Sequence, residues 1–164
     1  MREITDEDLR RGLAERLRRY RGLREELGPE RAREVMLEGL PEKQAARLGP
    51  ALKEDRLARG MARALPWLEA AGLVHEIVDD SRPGEDAALE IAFTCTCLTA
   101  ADALGAGAGA GRAEPLLCGL ELEATRRAFP ELDVRALAHR AEGKRVCVFR
   151  YSRATTPGRQ DATA

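Results

Sequence analysis

The chain has 164 residues, with 27 Lys and Arg against 28 Asp and Glu, a net charge of −1 and a hydrophobic share of 44%. That length suits one domain whose core holds without covalent staples, and the charge balance excludes a broad electrostatic footprint for nucleic acid or an anionic membrane. The N-terminus is charged, with Arg2, Glu3, Asp6, Glu7 and Asp8, and no apolar run is long enough to span a bilayer, so the expectation is a soluble, cytoplasmic protein without a cleavable signal.

Thr5 to Asp8 opens a helix in capping-box style, and Leu9, Leu13, Leu17 and Tyr20 follow at helical spacing. The arginines of this stretch, Arg10 to Arg24, alternate with Glu15, Glu25 and Glu26 and read as a solvated face. Gly28-Pro29 and Gly39-Leu40-Pro41 punctuate a short helix from about Glu30 to Glu38 and a longer one beginning near Pro41. Leu52, Leu57, Met61, Leu65 and Leu68 continue the apolar spacing, with Gly49-Pro50 and Pro66 as candidate breaks. After Ala71-Gly72 the period changes. Leu73 to Val78 is short and β-branched, Leu89, Ile91, Phe93 and Cys95 alternate with Glu90, Ala92 and Thr94, and the polar Asp79 to Asp86 turn joins the two into a hairpin.

Helical character returns over 98–104 and from Ala113 to Phe129, around a Gly-Ala run at Gly105 to Gly111 that reads as a flexible connector, since it lacks the Gly-Lys-Ser/Thr ending of a phosphate loop. Pro130 closes the second of these helices. A last pair, Val134 to Arg140 and Arg145 to Ser152, is linked through Gly143 as a second hairpin, and the segment from Ala154 on is small and polar, as a disordered tail would be. The order predicts an α+β fold: a helical N-terminal half, residues 1–72, then a cysteine-containing core over 73–152 with an antiparallel sheet of about four strands covered by helices, and a tail over 153–164, all integrated in one domain.

All four cysteines, Cys95, Cys97, Cys118 and Cys147, fall in the second half. In a reducing compartment they are free thiols, metal ligands or a nucleophile rather than disulfides, and each taken alone reads as a small buried hydrophobe. On the helix from Ala113, Leu117, Leu120, Ala124 and Ala128 define one stripe, and Cys118, Glu121, Leu122 and Thr125 the adjacent one, so a thiol and a carboxylate share a turn. In the last strand Cys147, Phe149 and Tyr151 face one way and Val146, Val148 and Arg150 the other. His139 comes near Cys147 if Gly143 sets an ordinary hairpin register, and a one-residue slip places them on opposite sides. Cys95 and Cys97 share a face if the strand continues through Thr96. Cys-Thr-Cys is not the Cys-x-x-Cys of zinc knuckles, so no metal or other cofactor is expected; a zinc ion, if bound, would be held by Cys97, Cys118 and Cys147.

Phe93-Thr94-Cys95-Thr96-Cys97-Leu98 leading into a helix, Glu114-Pro115-Leu116-Leu117-Cys118-Gly119-Leu120-Glu121, and Gly143-Lys144-Arg145-Val146-Cys147-Val148-Phe149 together resemble the L-2-amino-thiazoline-4-carboxylic acid hydrolase family over about residues 89–151. They are similar, more loosely, to vinyl-reductase-type ligand-binding domains. The first resemblance implies a thiol-dependent hydrolase, or a related ring-processing enzyme, acting on a small cyclic amidine or thiazoline carboxylate. Cys118 would be the nucleophile, Glu121 the proton shuttle and His139 a further acid or base, with Cys97, Cys147 and Thr125 lining the pocket and Arg126 or Arg150 holding a substrate carboxylate. The second implies a small-molecule- or metal-binding sensor without catalysis. Either way the expected partner is a small molecule, with no nucleic acid and no membrane, and the N-terminal helices are candidates for a homodimer contact.

Overall fold

The computed structural model describes residues 6–63, 65–70, 72–105 and 114–155. Thr5 of the capping box, most of the Gly-Ala run, Ala113, the segment from Thr156 onward and the side chain of Leu68 lie outside the described residues. The helical half comprises α1 (Asp6–Leu27), α2 (Pro29–Leu37), α3 (Leu40–Leu52), α4 (Leu57–Ala62) and α5 (Leu65–Ala70). The second half runs β1 (His75–Asp79), β2 (Glu85–Ala92), α6 (Thr96–Ala103), α7 (Leu116–Ala128), β3 (Asp133–Ala138) and β4 (Cys147–Ala154), with one 3-10 turn at Arg140–Glu142. The fold is α+β, as the sequence pattern predicts.

The apolar spacing of α1 buries Ala14, Leu17 and Tyr20, and the helix spends that stripe on α6 and α2 of its own chain. The expected break at Gly49-Pro50 is absent: Pro50 sits inside α3, which ends two residues later. A helical proline loses its i→i−4 hydrogen bond and crowds the carbonyl four residues earlier, and here the helix ends within the same turn. The chain reverses instead over 53–56, and α4 returns so close to α3 that a methyl group on Gly60 would collide with the carbonyl oxygen of Ala51. Asp86, buried on β2, fixes this corner to the sheet. Its carboxylate accepts the Leu57 N–H at the start of α4 and the Arg153 guanidinium of β4, and Arg153 also donates to the carbonyls of Leu52 and Glu54.

Both predicted hairpins form and join into one antiparallel sheet of order β1-β2-β4-β3. In register, Ala88 lies opposite Tyr151, Glu90 opposite Phe149 and Ala92 opposite Cys147. These residues make the helix-facing side of the sheet, where Ala88, Ala92, Cys147, Phe149 and Tyr151 join Leu17, Leu57, Leu117 and Leu120 in one apolar cluster shared by both halves of the chain. The other face carries Val78, Leu89, Ile91, Val148 and Arg150, none of them fully buried. β2 ends at Ala92, earlier than the alternation suggests. Cys95 therefore precedes α6, its carbonyl accepting the first helical hydrogen bond from Thr99, and Cys97 sits in the first helical turn. The two cysteines do not share a strand face.

Candidate functional site

Between the helix-facing side of the sheet and α1, α3 and α7 lies a cavity of about 230 Å³. Leu117, Leu122, Ala92 and Phe149 give it an apolar middle. Its lining includes Cys95, Cys118 and Cys147 and, on the sheet, His75 and Glu90 from the first hairpin and Tyr151 from β4. Arg16 and Arg47, more exposed, border it together with Glu121. The whole stripe Cys118, Glu121, Leu122 and Thr125 of α7 faces this space, because residues three and four apart on a helix stand one above the other.

The thiol side is a tight group of free, buried cysteines. The sulfur atoms of Cys97 and Cys118 lie 3.2 Å apart, the Cys118 amide donates to Cys97 Sγ at 3.4 Å, and Thr96 Oγ1 reaches Cys118 Sγ at 3.4 Å. Arg140 donates its amide to Cys147 Sγ at 3.4 Å. The neighbouring thiols of Cys118, Cys147 and Cys97 hold the Cys95 thiol well below the ordinary range, whereas Cys118 is pushed up by Cys95 and Cys97 and then by burial, and Cys147 by Cys95 and then by burial. Of these thiols Cys95 is the one held toward the thiolate, while Cys118, the expected nucleophile, is held toward the neutral thiol. Among the described residues no three His, Cys, Asp or Glu side chains are placed to hold a metal ion. The Cys97–Cys118 separation is also shorter than the roughly 3.8 Å that two thiolates span on one tetrahedral zinc with 2.3 Å bonds.

The polar side is a hydrogen-bonded chain that the sequence reading did not pick out. His75 Nδ1 lies 2.5 Å from Glu90 Oε1, and the Tyr151 hydroxyl donates to Glu90 Oε2 at 2.7 Å. Burial pushes the Glu90 carboxyl up, but the bonds from His75 and Tyr151 and the charge of Arg47 outweigh it, and the group sits below its ordinary value. Tyr151 is pushed far up, by burial first and the Glu90 charge second, so it stays a neutral donor. An ionised Glu90 makes His75 Nδ1 the donor, which leaves Nε2 as the ring nitrogen without a partner. The His75 side chain is 9% exposed, and its Nε2 is buried with no partner.

The remaining expected site residues distribute as follows. Glu121 does not engage Cys118; its carboxylate takes Arg16 at 2.5 Å and the amide of buried Gln44, with Arg47 at 3.9 Å. A carboxylate already shared among three donors is a clamp across α1, α3 and α7 rather than a proton shuttle. Thr125 borders the cavity but spends its hydroxyl on the Glu121 carbonyl at 2.8 Å. Cys97 lies behind Cys118, outside the cavity wall, and Cys147 is in it. His139 is outside it as well, its ring edge-on to Phe149 at 5.4 Å between centroids. Arg126 binds the Val134 carbonyl through two nitrogens and ties α7 to β3, and Arg150, on the far side of the sheet, holds Asp80 and Glu85. Neither arginine reaches the cavity, so neither holds a ligand there.

No family model matches the chain, and no curated protein matches it in sequence, so the hydrolase resemblance gains no support from either. In structure, it is similar to the phenol-responsive sensory domain of the transcription activator PoxR, solved with phenol. The TM-score is 0.55 at 13% identity, over 93% of this chain and 76% of that one. A likeness at that identity shows the fold. No helix among the described residues is long and apolar enough to cross a membrane.

Proposed function

We propose that the chain is a small-molecule-binding domain of the sensory type, its cavity taking one planar ring with a hydroxyl or similar donor. The observation that carries this reading is the cavity itself, with a buried, unpartnered imidazole nitrogen in its wall. Its volume of about 230 Å³ exceeds the roughly 150 Å³ apolar hole that accommodates benzene. A buried ring nitrogen with no partner costs about 1–3 kcal/mol, which a ligand hydroxyl would return. Leu117, Leu122 and Phe149 supply the apolar contact and His75 the orientation, the division of labour usual in ligand pockets. The PoxR sensory domain, with the same fold, is phenol-responsive, which supports the reading by analogy only.

Hydrolysis by Cys118 finds less support, because its thiol is pushed up and Glu121 is committed elsewhere. The test is a thermal-shift and calorimetric screen of single-ring compounds, with Ala92→Phe as the cavity-filling control. A ligand at a hundred times its Kd should stabilise the wild type by about 2.7 kcal/mol. The same compound should do nothing for a folded Ala92→Phe protein. Equal stabilisation of both would place the ligand elsewhere and end this reading.

A further inference from the structure

Resting on that reading, we propose that the cavity takes ligands with a weakly acidic phenol- or enol-type hydroxyl and holds them as oxyanions, the hydroxyl proton passing to His75 Nε2. Glu90, His75 and a ligand hydroxyl at Nε2 would form a carboxylate–imidazole–hydroxyl line. In such a line the carboxylate fixes the tautomer and stabilises the imidazolium that forms. The step balances within the complex: the ligand O–H bond breaks, its electron pair stays on oxygen, an N–H bond forms at Nε2, and the Nδ1 proton stays on Nδ1, donated to the Glu90 carboxylate. The net charge of the cavity does not change, because a neutral molecule enters and the charge separation is internal. Bringing in a preformed anion would instead add a charge to a space already holding Glu90, at a desolvation cost that the transfer avoids.

The charged and titratable groups around the ring suit this. Glu90 comes from β2 and Tyr151 from β4, and Arg47 of α3 is close enough to act on both. Arg16 of α1 is paired with Glu121 of α7 at 2.5 Å, and the thiols of Cys95, Cys118 and Cys147 border the same space. Among the described residues, no charged residue of α4 or α5, which pack on β1, borders the cavity. Ionised Glu90 thus stands directly behind the imidazole, and Arg47 offsets part of the negative charge that Glu90 and a bound oxyanion would bring together.

The probe is 4-nitrophenol, whose neutral and ionised forms absorb at different wavelengths, added to the full chain at a pH below the free compound's own pKa. The bound compound should show the phenolate band. Its methyl ether, with no proton to give, should bind about tenfold to a hundredfold more weakly, the worth of one charge-assisted hydrogen bond. A folded Glu90→Gln variant should bind 4-nitrophenol with the neutral band. Affinity should fall as the pH rises above the probe's pKa, because the complex keeps a proton that the free probe loses. If 4-nitrophenol binds and keeps its neutral spectrum, the proton transfer is wrong and the cavity reading survives. Tightening with rising pH would show uptake of the anion and also overturn the transfer. Should neither 4-nitrophenol nor any other single-ring compound bind, both ideas fall together.

Discussion

The protein has two histidines, His139 buried and His75 partly so, each with a buried ring nitrogen that finds no partner, and their surroundings differ in every other respect. His139 precedes a 3-10 turn and packs edge-on against Phe149, away from the cavity. His75 lines the cavity, and a carboxylate holds its opposite nitrogen in place. An orphaned nitrogen in solid packing is a cost carried by neighbouring contacts. One in the wall of an open space, with its opposite nitrogen held by a carboxylate, is a binding element waiting for a polar partner. An unsatisfied polar atom alone therefore identifies no site; the empty volume beside it and the group that orients it do.

The largest effect should come from removing that orienting group. Glu90→Leu leaves His75 and Tyr151 buried with no acceptor, and should cost about 3 kcal/mol or more in urea denaturation, the scale for breaking a buried charged network. The pH dependence should change with it. The Glu90 carboxyl is below its ordinary 4.5 in the folded chain. The stability it brings is therefore fully present above that value and is lost as the pH falls through the lower folded value. A variant without this carboxylate should have a shallower acid limb below about pH 4.5. Undiminished stability together with an unchanged acid limb would erase the distinction drawn between the two histidines.

A smaller effect concerns the cysteines of the cavity wall. If the other three thiols hold Cys95 toward the thiolate, it should react with a small alkylating agent about tenfold faster than Cys118 or Cys147. A bound ring compound should protect it. Mass spectrometry of partially labelled protein settles the order, and fastest labelling at Cys118 would restore that residue as the nucleophile candidate and shift weight from the histidine side to the sulfur side.

Much of this arrangement is legible without coordinates, and the division follows sequence distance. Helical spacing picks out Leu13, Leu17 and Tyr20 on α1 and the stripe of Cys118, Glu121, Leu122 and Thr125 on α7, since both are set by local geometry. The two hairpins are local as well. The strand reading of Cys95 and Cys97 fails because Thr94 to Cys97 suits an extended chain by propensity, while the start of α6 has no capping side chain to announce it. Glu121 reads as a free acid because its partners Arg16 and Gln44 lie 105 and 77 residues away. Tyr151 reaches Glu90 only because β4 inserts beside β2, a non-local pairing. One local signal was available for His75. With His75 opposite Ala92, Glu90 is its diagonal neighbour on the same face, within reach of a long side chain.

The smallest expected effect falls on the histidine that is only packed. His139→Leu removes the orphaned nitrogen and keeps most of the contact with Phe149. Loss of the unsatisfied group and loss of the edge-on ring contact oppose each other at about 1 kcal/mol each. Unfolding free energy should stay within about 1 kcal/mol of the parent. Affinity for a ring compound should not move, whereas His75→Leu, the same change of side chain in the cavity wall, should weaken it at least about tenfold, the worth of one hydrogen bond. Equal losses of affinity from both substitutions would mean that the cavity responds to core packing as a whole, and His75 would then have no special claim on a ligand.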